Sequence, residues 1–158
     1  MRLTNNFTLE ELIKSSTATK LKIKNVPDSA ALAKLTELCK KILQPVREKW
    51  GNPLLITSGY RCEQLNKIVG GVSTSQHLYG EAADLKVTAV DRLYLHTNTG
   101  CKIKINDERM ANRLLFNLIC GMIENGEITV GQLIDEKNYR WLHISLPSAT
   151  RKNQILHL

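Results

Sequence analysis

Ser75-Gln76-His77-Leu78-Tyr79-Gly80-Glu81-Ala82-Ala83-Asp84, answered downstream by Trp141-Leu142-His143, is the stretch that decides how this chain is read. A histidine, a carboxylate seven residues later and a distant second histidine are ligands of the kind zinc takes. Three protein ligands leave a fourth tetrahedral position for water, as in catalytic rather than structural sites. Gly80 is free to adopt a backbone conformation closed to other residues, and Ala82 and Ala83 let the chain pass close to a neighbour. Taken singly, His77 reads as a hydrogen-bonded loop histidine and Asp84 as a turn carboxylate. His143 reads as a half-buried strand residue sharing a face with Trp141 and Ser145. The flanking pattern favours the three acting together.

The pattern Ser-x-His-x-x-Gly-x-Ala-x-Asp, here Ser75, His77, Gly80, Ala82 and Asp84, resembles the first zinc motif of the zinc D-Ala-D-Ala carboxypeptidase family. These peptidoglycan peptidases include phage endolysins, and the Hedgehog signalling domain resembles them in its zinc fold. Trp141-x-His143 is similar to the family's second motif. The likeness continues in Asn6-Phe7-Thr8-Leu9-Glu10-Glu11-Leu12 with Ser15, Ala18, Ile23 and Asn25. It extends to Ser58-Gly59-Tyr60-Arg61 with Leu65-Asn66 and Val69-Gly70-Gly71, and to Gln132-Leu133-Ile134. It spans nearly the whole chain apart from about Val90 to Asp107.

The resemblance implies that His77, Asp84 and His143 hold Zn²⁺, which lowers the pKa of water and polarises the scissile carbonyl of a peptidoglycan stem peptide. It gives Arg61 the task of gripping a substrate carboxylate with its guanidinium fork, with Ser75 as a second donor and Trp141 as a further substrate contact. A general base is harder to find, because Arg140 and Trp141 stand where many relatives carry an acid or a histidine. Glu136, after Gln132-Leu133-Ile134-Asp135, is the expected base; Asp135, facing the other side of the strand, is the runner-up. The implied activity is a zinc metallopeptidase, either a D-Ala-D-Ala carboxypeptidase or an L-Ala-D-Glu type endopeptidase. The alternative is a catalytically inactive, zinc-stabilised wall-binding or structural module.

Bulk properties agree. A chain of 158 residues is the size of one domain, here 1–158, with a core of its own. No apolar run reaches the length of a membrane span, so no membrane insertion is expected. No signal-peptide core precedes Ser16, and action at the cell wall or periplasm then requires another route, such as that of a phage lysin made in the cytoplasm. The net charge of +7 suits an anionic envelope. Nucleic acid is not expected, since no helix-turn-helix, zinc finger or RNA-binding aromatic motif is present. A monomer is the expected state. Cys39, Cys62, Cys101 and Cys120 lack paired metal spacing, and Cys39 and Cys120 sit in apolar helical patterns that predict buried free thiols.

Helical signals dominate the first third. Thr8-Leu9-Glu10-Glu11 has capping-box form, with Phe7 placed to staple onto Leu12. Pro27-Asp28 opens a helix carrying Leu32, Leu35, Leu38, Cys39, Ile42, Leu43 and Val46, which Pro45 is expected to kink unless the helix has already ended there. Strands are expected at Leu54–Thr57, at Asp84–Val87 with Asp84 at the entry, from Ile128 to Ile134, and from Trp141 to Ser145. Asp91 to Ile105 reads as an added hairpin turning at Asn98-Thr99-Gly100, and a helix follows from Asn106-Asp107 to about Ile123. Together these predict an α+β fold: a single domain with an antiparallel sheet and helices packed on one side, in the Hedgehog/D,D-peptidase manner.

Overall fold

The computed structural model describes residues 1–88, 93–96, 99–105 and 107–158. Its helices are α1 (Leu9–Ile13), α2 (Ser16–Lys20), α3 (Ser29–Leu38), α4 (Gln44–Trp50), α5 (Glu63–Ile68) and α6 (Glu108–Glu124). Its strands are β1 (Leu54–Ser58), β2 (Ala82–Val87), β3 (Tyr94–His96), β4 (Lys102–Lys104), β5 (Gln132–Glu136), β6 (Trp141–Ser145) and β7 (Gln154–His157). The main sheet has the order β1-β2-β6-β5-β7, and β3 pairs with β4 in a separate ribbon. All pairings in the main sheet are antiparallel except β5 with β7. The parallel edge strand β7 was not legible in the sequence, because Gln154-Ile155-Leu156-His157 is a short run that owes its extended form to pairing with β5.

Alternation along the strands gives the sheet two unlike faces. Ala83, Leu85, Leu133, Leu142 and Ile144 point to one side and are buried. They join one hydrophobic cluster with Leu35, Leu38, Ile42 and Leu43 from the first helical run and with Leu115, Phe116 and Ile119 of α6. The helices thus cover this face and leave the other to the cleft described below. Asp107 begins α6 by accepting hydrogen bonds from the amides of Arg109 and Met110. The capping box on α1 is complete, with Thr8 and Glu11 each accepting from the other's amide.

Pro45 does not end its helix. A π turn at Cys39–Leu43 joins α3 to α4, the Gln44 amide reaches back to the Cys39 carbonyl, and Pro45 falls in the first turn of α4. There the wide turn takes up the geometry the ring demands. Two strand starts also differ from expectation. β2 begins at Ala82, so Asp84 lies inside the strand, and β5 begins at Gln132 rather than Ile128. Ile128 and Val130 owe their apolar character to burial outside regular pairing. Of the expected hairpin, the paired segments β3 and β4 are present, while 89–92, 97–98 and 106 lie outside the described residues.

Cys39, Cys62 and Cys120 are free thiols. Cys39 is buried, which pushes its thiol up to about 12, whereas Cys120 is only half-buried because its side of α6 borders solvent.

Gly80 is one glycine whose conformation matters. Its φ is +71°, and a Cβ there would stand 2.4 Å from the Ala31 carbonyl oxygen. Both the left-handed backbone and the close helix approach exclude a side chain. Gly80→Ala should cost about 1–3 kcal/mol, read as a lowered denaturant midpoint at unchanged slope.

Candidate metal centre and cleft

The open face of the sheet carries the candidate site. Asp84 on β2 is the register partner of His143 on β6, and His143 is in turn the partner of Ile134 on β5. Partners in register project to the same side, so Asp84, His143, Trp141, Ile134 and Glu136 share one face. His77 comes from outside the sheet, on a 3₁₀ turn at Gln76–Tyr79 that Gly80 closes.

His77, Asp84 and His143 each offer a ligand atom, and the three atoms lie within 4.8 Å of one another. His143 Nδ1 lies 2.9 Å from Asp84 Oδ1, and His77 Nε2 lies 3.4 Å from the same oxygen. The His77 and His143 rings meet edge to face at 5.1 Å between centroids. Burial pushes the Asp84 carboxyl up, but hydrogen bonding with His143 and His77, and their nearby charge, outweigh it. The group is held well below the usual carboxylate range and is an anion.

The fit to a cation follows from the tautomer of His77. Its Nδ1 lies 2.7 Å from the Gly59 carbonyl, which only accepts, so Nδ1 carries the ring proton. In the neutral ring Nε2 then has a bare lone pair facing a carboxylate oxygen. That oxygen can be met by a proton on Nε2, which makes the ring a cation, or by a metal ion in the proton's place. A carbonyl orienting a ligating imidazole through its other nitrogen is a common supporting arrangement at metal sites. Two imidazoles and one carboxylate form a donor set suited to zinc with an open position.

Gly59 must be glycine for this to work, since a Cβ would lie 2.2 Å from the Leu12 carbonyl oxygen. The next amide, Tyr60 N–H, donates to that same carbonyl at 2.7 Å, which locks the turn onto α1.

A cleft of about 370 Å³ opens over the trio. Arg61, Ser75, Glu136, Trp141 and Arg151 are among its lining residues. The cleft thus brings together His77, Asp84, His143, Arg61, Ser75, Trp141 and Glu136. Arg61 makes no ion pair among the described residues; its neighbour Glu63 pairs with Lys67 at 2.8 Å. The Arg61 Nε is buried without a hydrogen-bond partner. Burial pushes its guanidinium down and the Asp84 charge draws it back up.

Asn25 holds this arginine's backbone. Its Nδ2 donates to the carbonyls of Ile13 at 2.8 Å and Tyr60 at 2.9 Å, and its Oδ1 accepts from the Cys62 amide at 2.8 Å. The Arg61 amide itself donates to the His77 carbonyl at 3.1 Å. Asn25→Ala leaves those groups unmatched and should cost about 2–4 kcal/mol of stability.

Asp135 does not reach the cleft. It is buried on the opposite face, where it accepts from the Tyr139 amide at 3.3 Å and pairs with His157 Nδ1. Glu136 is separated from Trp141 by a turn in which Lys137, Asn138 and Tyr139 all have positive φ, at 51°, 56° and 59°. Three consecutive left-handed residues that are not glycine cost roughly 1–2 kcal/mol each. Asn112, fully buried, offsets part of that cost by donating to the carbonyls of Tyr139 at 2.9 Å and Arg140 at 3.3 Å. Lys137 Nζ also sits 5.5 Å from the centre of the Trp141 ring.

The sequence reading missed Gln76 and Arg151. Gln76 is buried, donates to the Leu146 carbonyl at 3.2 Å and accepts from Arg151 Nη1 at 3.3 Å. Nothing in spacing marks Arg151, a loop arginine among 22 basic residues.

An aspartate and a histidine on the open face of the sheet, met by a second histidine from a 3₁₀ turn beneath a polar cleft, are a set that could hold a metal ion. Residues 5–104 match the family model described as Peptidase M15, well over half of the chain, and the protein belongs to that family. A 44-residue segment is 46% identical to the zinc D-Ala-D-Ala carboxypeptidase of Streptomyces albus G, covering 27% of this chain and 17% of that relative's length. The family match includes Arg61, Ser75, His77 and Asp84 and ends before α6. Glu136, Trp141 and His143 join them through the register of β5 and β6.

Proposed function

We propose that this protein is a zinc-dependent peptidase of peptidoglycan stem peptides, acting at the cell wall or periplasm. The convergence of His77, Asp84 and His143 beneath a cleft that also holds a carboxylate, and an arginine without an ion pair among the described residues, carries the reading. Membership of the M15 family and the name of the Streptomyces relative support it.

In this reading His77, Asp84 and His143 hold zinc, and the ion supplies Lewis acidity toward water and the scissile carbonyl. Glu136, on the cleft wall, takes the proton from the attacking water and returns it to the leaving amine. Arg61, which makes no ion pair among the described residues, grips a substrate carboxylate with its planar fork. Ser75 donates a further hydrogen bond, and the Trp141 ring gives the peptide an apolar wall. All these groups come from one chain, so a monomer suffices. Among the described residues no helix is long and apolar enough to cross a membrane.

Mass spectrometry of purified muropeptides after incubation tests both the activity and the bond. Loss of a single D-alanine identifies a carboxypeptidase, and release of a peptide cut after L-alanine identifies an endopeptidase. Intact muropeptides alongside tight binding of sacculi would overturn the enzymatic reading in favour of a zinc-stabilised wall-binding module.

A further inference from the structure

The cleft contains a second cation whose role neither the metal trio nor the Arg61 contact explains. Arg151 precedes the edge strand β7, whereas Arg61 follows the opposite edge strand β1, and both line the cleft over Asp84 and His143. Arg151 is half-buried and held in place at its backbone and at its head. Its amide donates to Ser148 Oγ at 3.2 Å, and its carbonyl accepts from the Ser148 amide at 2.8 Å. Its Nη1 donates to Gln76 Oε1 at 3.3 Å, and Gln76 is itself tied to the Leu146 carbonyl. This partner is neutral, and no carboxylate pairs with Arg151 among the described residues. The guanidinium is therefore positioned without being neutralised, which is the condition of a residue waiting for an anion.

Charge in the cleft points the same way. Its lining holds two arginines and two carboxylates, Asp84 and Glu136. A divalent ion at the trio then leaves two positive charges in excess. A peptide with one carboxylate leaves one of them unmatched, and a peptide with two matches both. We propose that Arg151 is a specificity-determining residue that takes a second substrate carboxylate, so that the preferred substrates are dianionic peptides held by Arg61 and Arg151 together. The inference rests on the peptidase reading for its choice of substrate, and on Arg151 and Gln76 for its geometry.

A stem peptide with two free carboxyl groups, and two derivatives each amidated at one of them, provide the test. Binding to zinc-loaded Glu136→Gln protein is measured by calorimetry, and kcat/KM on the unaltered protein. Each amidation should weaken binding and kcat/KM by about tenfold to a hundredfold. In Arg151→Gln one of the two amidations should cost less than about twofold further, while the other keeps its full effect, the pattern of a coupled pair. A merely structural role would lower all three peptides alike and overturn the inference, as would both amidations keeping their full cost in Arg151→Gln. Absence of binding by all three peptides would also overturn it. Absence of hydrolysis with the binding pattern intact would instead sink the peptidase reading and leave the dianion site standing.

Discussion

His143→Ala should leave the protein folded and without metal. Expected after dialysis is a fall in bound zinc from about one per chain to near zero, with peptide hydrolysis reduced on the order of 10³-fold or more. Losing one of three protein ligands costs more than the roughly 10–100-fold in affinity that follows loss of a supporting partner. His143 is half-buried on the open face of β6, so its truncation removes no core packing and the unfolding midpoint should move little. His143 is the most informative ligand to remove, because it lies outside the family match and joins the site through its register with Asp84. Retention of one zinc per chain would mean that the ion is held elsewhere. Atomic absorption on the dialysed variant, beside its denaturation curve, separates the two results.

Glu136→Gln should have the opposite signature. Hydrolysis is expected to fall by about 10²–10⁴-fold while zinc stays near one per chain. The amide keeps the shape of the carboxylate on the cleft wall but cannot take a proton, and Glu136 is not among the three convergent ligands. The turn after it is an additional reason to expect a functional position. Left-handed backbone at Lys137, Asn138 and Tyr139 is held by Asn112, by the Asp135–Tyr139 hydrogen bond and by the Lys137 amide donating to the Leu158 carbonyl at 2.7 Å. Strain of this kind persists where surrounding structure enforces it. An unchanged rate would make Glu136 a bystander, and loss of zinc along with activity would make it a support for the metal.

The local part of the site was legible because its spacing is short and its chemistry uncommon. His77 and Asp84 lie seven residues apart around a glycine whose left-handed conformation the fold requires. Strand alternation also separated Glu136 from Asp135 before their surroundings were known, and the structure puts Asp135 on the buried face with His157. What spacing could not reveal depends on contacts between distant segments. Arg151 enters the cleft because Gln76, 75 residues earlier, holds its head. β7 exists because β5 offers it an edge, and Asn25 matters because it bridges Ile13, Tyr60 and Cys62. How Pro45 is accommodated is a matter of the same kind: a π turn takes up the geometry of its ring, and no local propensity announces that turn.

The most direct test of the assignment is amine release from purified stem peptides by one protein sample in three states: as purified, stripped by chelator, and restored with one equivalent of zinc. Release that vanishes on stripping and returns at one zinc per chain is the expected result. Release that persists without metal, or fails to appear with one zinc bound, would contradict a zinc-dependent peptidase built on His77, Asp84 and His143.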